Sequence, residues 1–196
     1  MIYIVDGPPG AGKSYFGTRV AVKTLLDGRR PCFTNYPVVL GNKSTFVWDY
    51  SLISEPVQDA VIIMDEAYRD VSSRDFKKFS KDEHTFFATN RHNGLDIYLI
   101  AQHLNRVDVI IREMANEIIR ISKVAVPVID RPLWFRADVY TDEASYARKE
   151  IYYSQHYLFR KKYAQAYDTH AFRRKSDPYR GVTWIEKMKP ESIDNL

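Results

Sequence analysis

Eight residues constrain this chain more than any others: Gly7-Pro8-Pro9-Gly10-Ala11-Gly12-Lys13-Ser14, a G-x-x-x-x-G-K-[ST] loop. The loop stands between a short β-prone apolar run, residues 1–6, and a helical pattern that begins at Lys13. Glycines let such a backbone turn so that successive N–H groups converge on phosphate oxygens. The helix that follows adds the positive end of its dipole. Lys13 is set to reach the β- and γ-phosphates of ATP, and the Ser14 hydroxyl to ligate Mg²⁺. With Gly7, Pro8, Pro9, Gly10, Ala11 and Gly12, the next residue Tyr15 completes the candidate nucleotide-binding segment. A chance match to the loop pattern is expected in about one chain in a hundred of this length, and less often with strand and helix in order.

The rest of the chain supplies the sheet and helices that such a loop needs. Phe16, Val20, Val22, Leu25 and Leu26 are candidate buried positions of the first helix, and Gly28 a stop for it. Residues 32–35 read as a second short strand and 37–50 as a less regular stretch. Residues 60–64 form a continuous apolar run, as expected of a strand covered on both faces. Phe76, Phe79, Phe86 and Phe87 recur at near-helical spacing, and residues 95–101 read as another buried strand. Leu104, Val107, Ile111 and Met114 mark one face of a helix, and 118–121 the next strand.

Alternating strands and helices predict an α/β fold: a mostly parallel central sheet flanked by helices. After Val124 the pattern changes to aromatic-rich segments at 133–141 and 151–159, read as additional C-terminal strands or a hairpin. The expected organisation is a core over 1–124 and a packed extension over 125–196.

Ala60-Val61-Ile62-Ile63-Met64-Asp65-Glu66 is an apolar strand that ends in two carboxylates. In a parallel sheet the carboxyl ends of neighbouring strands open on one crevice, so this pair is expected beside the phosphate loop. Asp65 is then placed to hold Mg²⁺ and Glu66 to act as general base toward water. Gln102, at the tip of the adjacent strand, is a candidate reporter of the γ-phosphate; an ordinary exposed strand end is the alternative.

At these residues the chain resembles the Zot family, which includes the filamentous-phage assembly ATPase and lies among the P-loop ATPases near the FtsK–HerA motors. The resemblance rests on ordered blocks: GPPGAGKS, Thr34-Asn35, VIIMDEA with Arg74 downstream, Arg91, Gly94-Leu95-Asp96-Ile97, Gln102, Val107-Asp108, Arg112, and a late Tyr163-x-x-x-Tyr167-Asp168-Thr169. It implies an ATPase motor for virion assembly and extrusion. It also implies a homo-oligomeric ring, with a hexamer expected, and a site in the host cytoplasm. Arg74, Arg91 and Arg112 each match a family position and are candidates to act on a neighbouring subunit's γ-phosphate, although an exposed arginine or local ion pair is the commoner role.

Family members usually continue into a membrane-spanning helix, whereas the longest apolar run here is far shorter than the roughly 20 residues a span needs. The chain therefore reads as the cytoplasmic domain of an inner-membrane protein or as a shorter relative acting in genome packaging. A single cysteine, Cys32, excludes an intrachain disulfide and fits a reducing compartment.

Other functions remain in view. A nucleotide or small-molecule kinase shares the loop, but a carboxylate poised to activate water suits it poorly. A GTPase is disfavoured because Asn42-Lys43-Ser44-Thr45 lacks the guanine-reading aspartate. A scaffold that binds nucleotide only to order its subunits is a third alternative. His92 and His103 hint weakly at a metal. From Arg148 to Arg180 there are nine Lys or Arg against three Asp or Glu, interleaved with Tyr153, Tyr157, Phe159, Tyr163, Tyr167 and Phe172. Such a segment suits single-stranded DNA, a basic surface over an aromatic core, or oligomer contacts; phage coat or assembly proteins are further candidate partners of the chain.

Overall fold

The computed structural model describes residues 1–55, 57–67, 81–124, 134–167 and 183–188. The calls on Arg74, Phe76, Phe79, Phe172 and the cluster at 173–175 lie outside them. β1 (Ile2–Asp6) leads through the glycine loop into α1 (Lys13–Asp27), and Gly28, at φ 67°, ends that helix as expected. β2 (Cys32–Thr34) is followed by a two-residue ribbon, β3 (Val39–Leu40) with β4 (Lys43–Ser44), and by β5 (Phe46–Val47). Then come β6 (Val61–Met64), α2 (Lys81–Ala88), β7 (Asp96–Ile100), α3 (Val109–Met114) and β8 (Glu117–Val124). The C-terminal part holds β9 (Trp134–Tyr140), α4 (Glu143–Arg148), β10 (Tyr153–Leu158), α5 (Lys161–Ala164) and α6 (Trp184–Met188).

Among the described residues, eight strands form one sheet in the order β10-β9-β8-β1-β7-β6-β2-β5. From β8 to β5 all neighbours run parallel, while β9 and β10 join antiparallel beyond β8. The expected α/β fold with added C-terminal strands is therefore the fold observed.

Alternation explains why the central strands are apolar throughout. Ile2, Ile4, Ile62, Met64, Ile97 and Leu99 enter one core, which α2 and α3 complete with Phe86, Phe87 and Ile111. Val5, Val61, Ile63 and Ile100 enter the opposite core beneath Tyr15, Phe16, Ala21 and Val22 of α1. Each strand face thus meets a helix, the condition under which a parallel strand loses its polar positions. Gly17 sets how close α1 comes, since a Cβ there would lie 2.6 Å from Ile100 Cδ1 and 2.9 Å from the Tyr36 hydroxyl.

Two local expectations are corrected. Leu26, expected inside, is 53 % exposed, because the apolar stripe of α1 has rotated past the sheet by its last turn. The face marked by Leu104, Val107, Ile111 and Met114 belongs to two elements, a 3-10 turn at Leu104–Arg106 and then α3. Asp108 separates them: its carboxylate accepts the N–H of Ile110 and starts a new helix there. Leu104, Val107 and Ile111 are nonetheless buried as expected.

Candidate nucleotide site

The phosphate loop follows β1, Asp65 and Glu66 follow β6, and Gln102 follows β7, all at the carboxyl edge of parallel strands. Within the loop, Gly12 has φ 98° and a Cβ there would lie 2.7 Å from Phe135 Cδ1. Only glycine combines that left-handed backbone with so close an aromatic neighbour. Pro8 and Pro9 carry no N–H, and the Ala11 N–H turns back to the Pro8 carbonyl at 3.1 Å. The first bond of α1 runs from the Phe16 N–H to the Gly12 carbonyl, 2.9 Å. Among the described residues the N–H groups of Lys13, Ser14 and Tyr15 have no backbone partner, and such donors at a helix start suit an anion.

Lys13 Nζ donates to the carbonyls of Gly7 at 2.7 Å and Pro8 at 2.9 Å, so the ammonium lies across the mouth of the loop. Desolvation lowers its pKa, opposed by the carboxylates of Asp65, Asp6 and Glu66. A second ammonium lies close by: Lys123 Nζ is 3.8 Å from where a Cβ on Gly10 would stand. Nothing in the spacing of the sequence marks Lys123, because it reaches the loop through the pairing of β8 with β1.

Burial raises the pKa of Asp65, while the nearby Ser14 hydroxyl and a hydrogen bond accepted from the Glu66 N–H, 2.9 Å, favour its ionised form. Its main chain is fixed by Asn35, whose side chain donates to the Asp65 carbonyl and accepts from the Asp65 N–H, both at 2.8 Å. Glu66 turns the chain at φ 51°, a left-handed conformation that costs a non-glycine residue on the order of 1 kcal/mol. Asn35 belongs to a block of the family resemblance; its link to Asp65 comes from strand order, which brings the ends of β2 and β6 together.

Behind the loop, Asp6 is buried and its carboxyl pKa is raised by burial. The Tyr146 hydroxyl donates to it, and Arg120 in turn donates to Tyr146 at 2.6 Å. Tyr146 is aimed there by α4, whose start is a capping box between Asp142 and Ser145.

The Tyr15 ring does not face the crevice. It is buried against Phe135, Tyr157 and Phe159, and its hydroxyl accepts the Arg160 N–H at 2.7 Å and donates to the Leu158 carbonyl at 3.3 Å. Only its N–H is left for a phosphate, so its expected contact with nucleotide narrows to the backbone. Arg112 sits in the last turn of α3 and forms an ion pair with Glu143. Arg91 is exposed in the turn after α2, at the amino end of β7. That end is about 16 Å of strand away from Gln102. The same strand separates His92 from His103, and no group of three metal-ligating side chains occurs among the described residues. In the basic aromatic segment Tyr157 and Tyr163 are core residues, while Tyr153 and Phe159 are exposed.

A parallel sheet of this order, with a glycine loop after β1 and a paired carboxylate after β6, defines the P-loop NTPase fold. The model of the zonular occludens toxin (Zot) family matches residues 38–171, more than half of the chain. The chain belongs to that family.

The N-terminal domain of zonular occludens toxin from Neisseria meningitidis is similar at 19 % identity, with a TM-score of 0.61 over 85 % of this chain and 98 % of that one. The genome packaging NTPase B204 from Sulfolobus turreted icosahedral virus 2, in complex with sulfate, is 17 % identical, with a TM-score of 0.50 over 70 % and 90 %. The flagellar accessory protein FlaH from Methanocaldococcus jannaschii is 17 % identical, with a TM-score of 0.50 over 74 % and 79 %. At these identities the structures speak for the fold. A comparison with curated protein sequences finds no match.

Proposed function

We propose that the protein is a Mg²⁺-dependent ATPase acting as a motor in phage virion assembly or extrusion. The observation that carries the reading is the gathering of Lys13 and Ser14, in the first turn of α1, with the half-buried Asp65 carboxylate that follows β6, close enough for both to act on its ionisation. Two hard oxygen donors next to a phosphate loop fit Mg²⁺, which keeps its remaining positions for water and phosphate. When bound, the ion neutralises charge on the β- and γ-phosphates. The loop N–H groups and Lys13 hold the triphosphate. Glu66, held beside Asp65 by its own N–H, is offered as the group that orients the attacking water and takes its proton. Gln102 lies on the neighbouring strand end, suited to sensing the γ-phosphate.

Family membership supports the phage setting, and a carboxylate placed to activate water, Glu66, suits hydrolysis better than transfer to an acceptor by a kinase. Among the described residues no helix is long and apolar enough to cross a membrane. Arg91 is the favoured trans-acting arginine, because the amino end of β7 keeps it from its own loop but leaves it open to a neighbour.

The test is phosphate release with ATP and Mg²⁺ alone. Glu66→Gln is expected to keep ATP affinity and lose turnover by roughly 10²-fold, the scale of a missing general base. Lys13→Ala is expected to lose both. Near-normal release by Glu66→Gln would remove that residue from the mechanism.

A further inference from the structure

The residues around Tyr15 form a bracket. The Leu158 carbonyl accepts from the Tyr15 hydroxyl, and the Arg160 N–H donates to that hydroxyl's oxygen. Phe159 lies between those two main-chain anchors and stacks on Tyr15, with ring centroids 5.3 Å apart at 27°. Tyr15 stacks also on Phe135, 5.1 Å away, and Phe135 lies under Gly12 of the loop. Three rings therefore run outward from the phosphate loop. The first two are 3 % exposed, while the last, Phe159, is 42 % exposed. A lone exposed phenylalanine needs no explanation. This one is held by backbone bonds on both sides, at the first turn of the helix that follows the glycine loop.

We infer that Phe159 is the platform on which the base of the bound nucleotide stacks. The inference rests on the nucleotide-binding reading above and names the group that completes it. A nucleotide whose phosphates lie on the N–H groups of 13–15 carries its sugar and base away from the loop along the first turn of α1. There the Tyr15 ring, buried and with its hydroxyl satisfied, is unavailable, and among the described residues Phe159 is the exposed ring stacked on it. Stacking reads the area of a ring and not its hydrogen-bonding edge. The platform therefore favours purines over pyrimidines. Its rigidity matters because no side-chain freedom is lost when the base arrives.

Isothermal titration of ATP, CTP and inorganic tripolyphosphate separates the parts. Wild type is expected to bind ATP more tightly than CTP. Phe159→Ala is expected to weaken ATP about tenfold, within the range of one base stacked on one aromatic ring. CTP is expected to weaken less, and tripolyphosphate not at all, with Phe159→Trp restoring the purine preference. Equal weakening of all three ligands, or of none, overturns the platform and leaves the phosphate loop standing. A changed oligomeric state with unchanged nucleotide affinities overturns it as well, assigning Phe159 to a subunit contact. If wild type binds neither ATP nor tripolyphosphate, the nucleotide reading falls and the platform with it.

Discussion

Gly12→Ala is the most demanding test of the geometry around the loop. The new Cβ would stand 2.7 Å from Phe135 Cδ1 and closer still to Cε1, well inside contact distance, on a backbone at φ 98°. The backbone cost of a left-handed L-residue is about 1–2 kcal/mol. Overpacking against a buried ring adds about 1–3 kcal/mol. The expected loss is therefore about 2–5 kcal/mol in the free energy of unfolding, read by urea titration followed through intrinsic fluorescence. The two contributions can be separated. Phe135→Leu removes the ring edge that meets the new methyl, so in the double variant only the backbone cost should remain. The cycle should then give a favourable coupling of about 1–3 kcal/mol, as expected of residues in contact. Strict additivity of the two substitutions would refute the claim that the loop rests on β9. ATP affinity should follow the same pattern, because the methyl displaces the N–H groups of the loop.

Asp6→Asn is expected to raise stability at neutral pH. Burial raises the folded carboxyl above its ordinary 3.8, so between that value and the folded pKa the native state holds more protons than the unfolded one. Stability therefore falls as pH rises through that window, and the ionised group carries the cost above it. Urea midpoints measured from pH 3 to 7 should show a shallower decline in the variant; an unchanged slope would clear Asp6 of the penalty. Arg91→Ala is expected to bind ATP normally and hydrolyse it poorly, since an arginine supplied in trans adds roughly 10³–10⁵ in rate. Mixed with Glu66→Gln subunits it should regain phosphate release, and failure in mixtures shown to exchange subunits would count against a trans role.

The loop and the acidic strand were legible because their information is local. GPPGAGKS carries its turn in adjacent glycines, and Val61-Ile62-Ile63-Met64 announces a strand covered on both sides by having no polar position. What could not be read depends on which strands become neighbours. The hold of Asn35 on Asp65 exists because β2 lies beside β6. Lys123 approaches Gly10 because β8 lies beside β1. Tyr15 shows the same limit: its place after Ser14 suggested a ligand contact, but the side chain is claimed by β9 and β10, strands more than a hundred residues away. The break between Leu104 and Met114 turned on one carboxylate competing for a backbone N–H, a choice that apolar periodicity does not register.

The two borders of the sheet are not equivalent. Beyond β5, Phe46 pairs with Thr183, the Trp184 N–H reaches the Thr45 carbonyl, and the Trp184 indole closes over Thr34, so that border is sealed. Beyond β10, no further strand pairs among the described residues. Two copies that paired through β10 would meet by the same border. Such a meeting has twofold symmetry and closes on itself after two subunits. Rings need head-to-tail contacts between unlike surfaces, so a pairing of β10 with β10 would not build one.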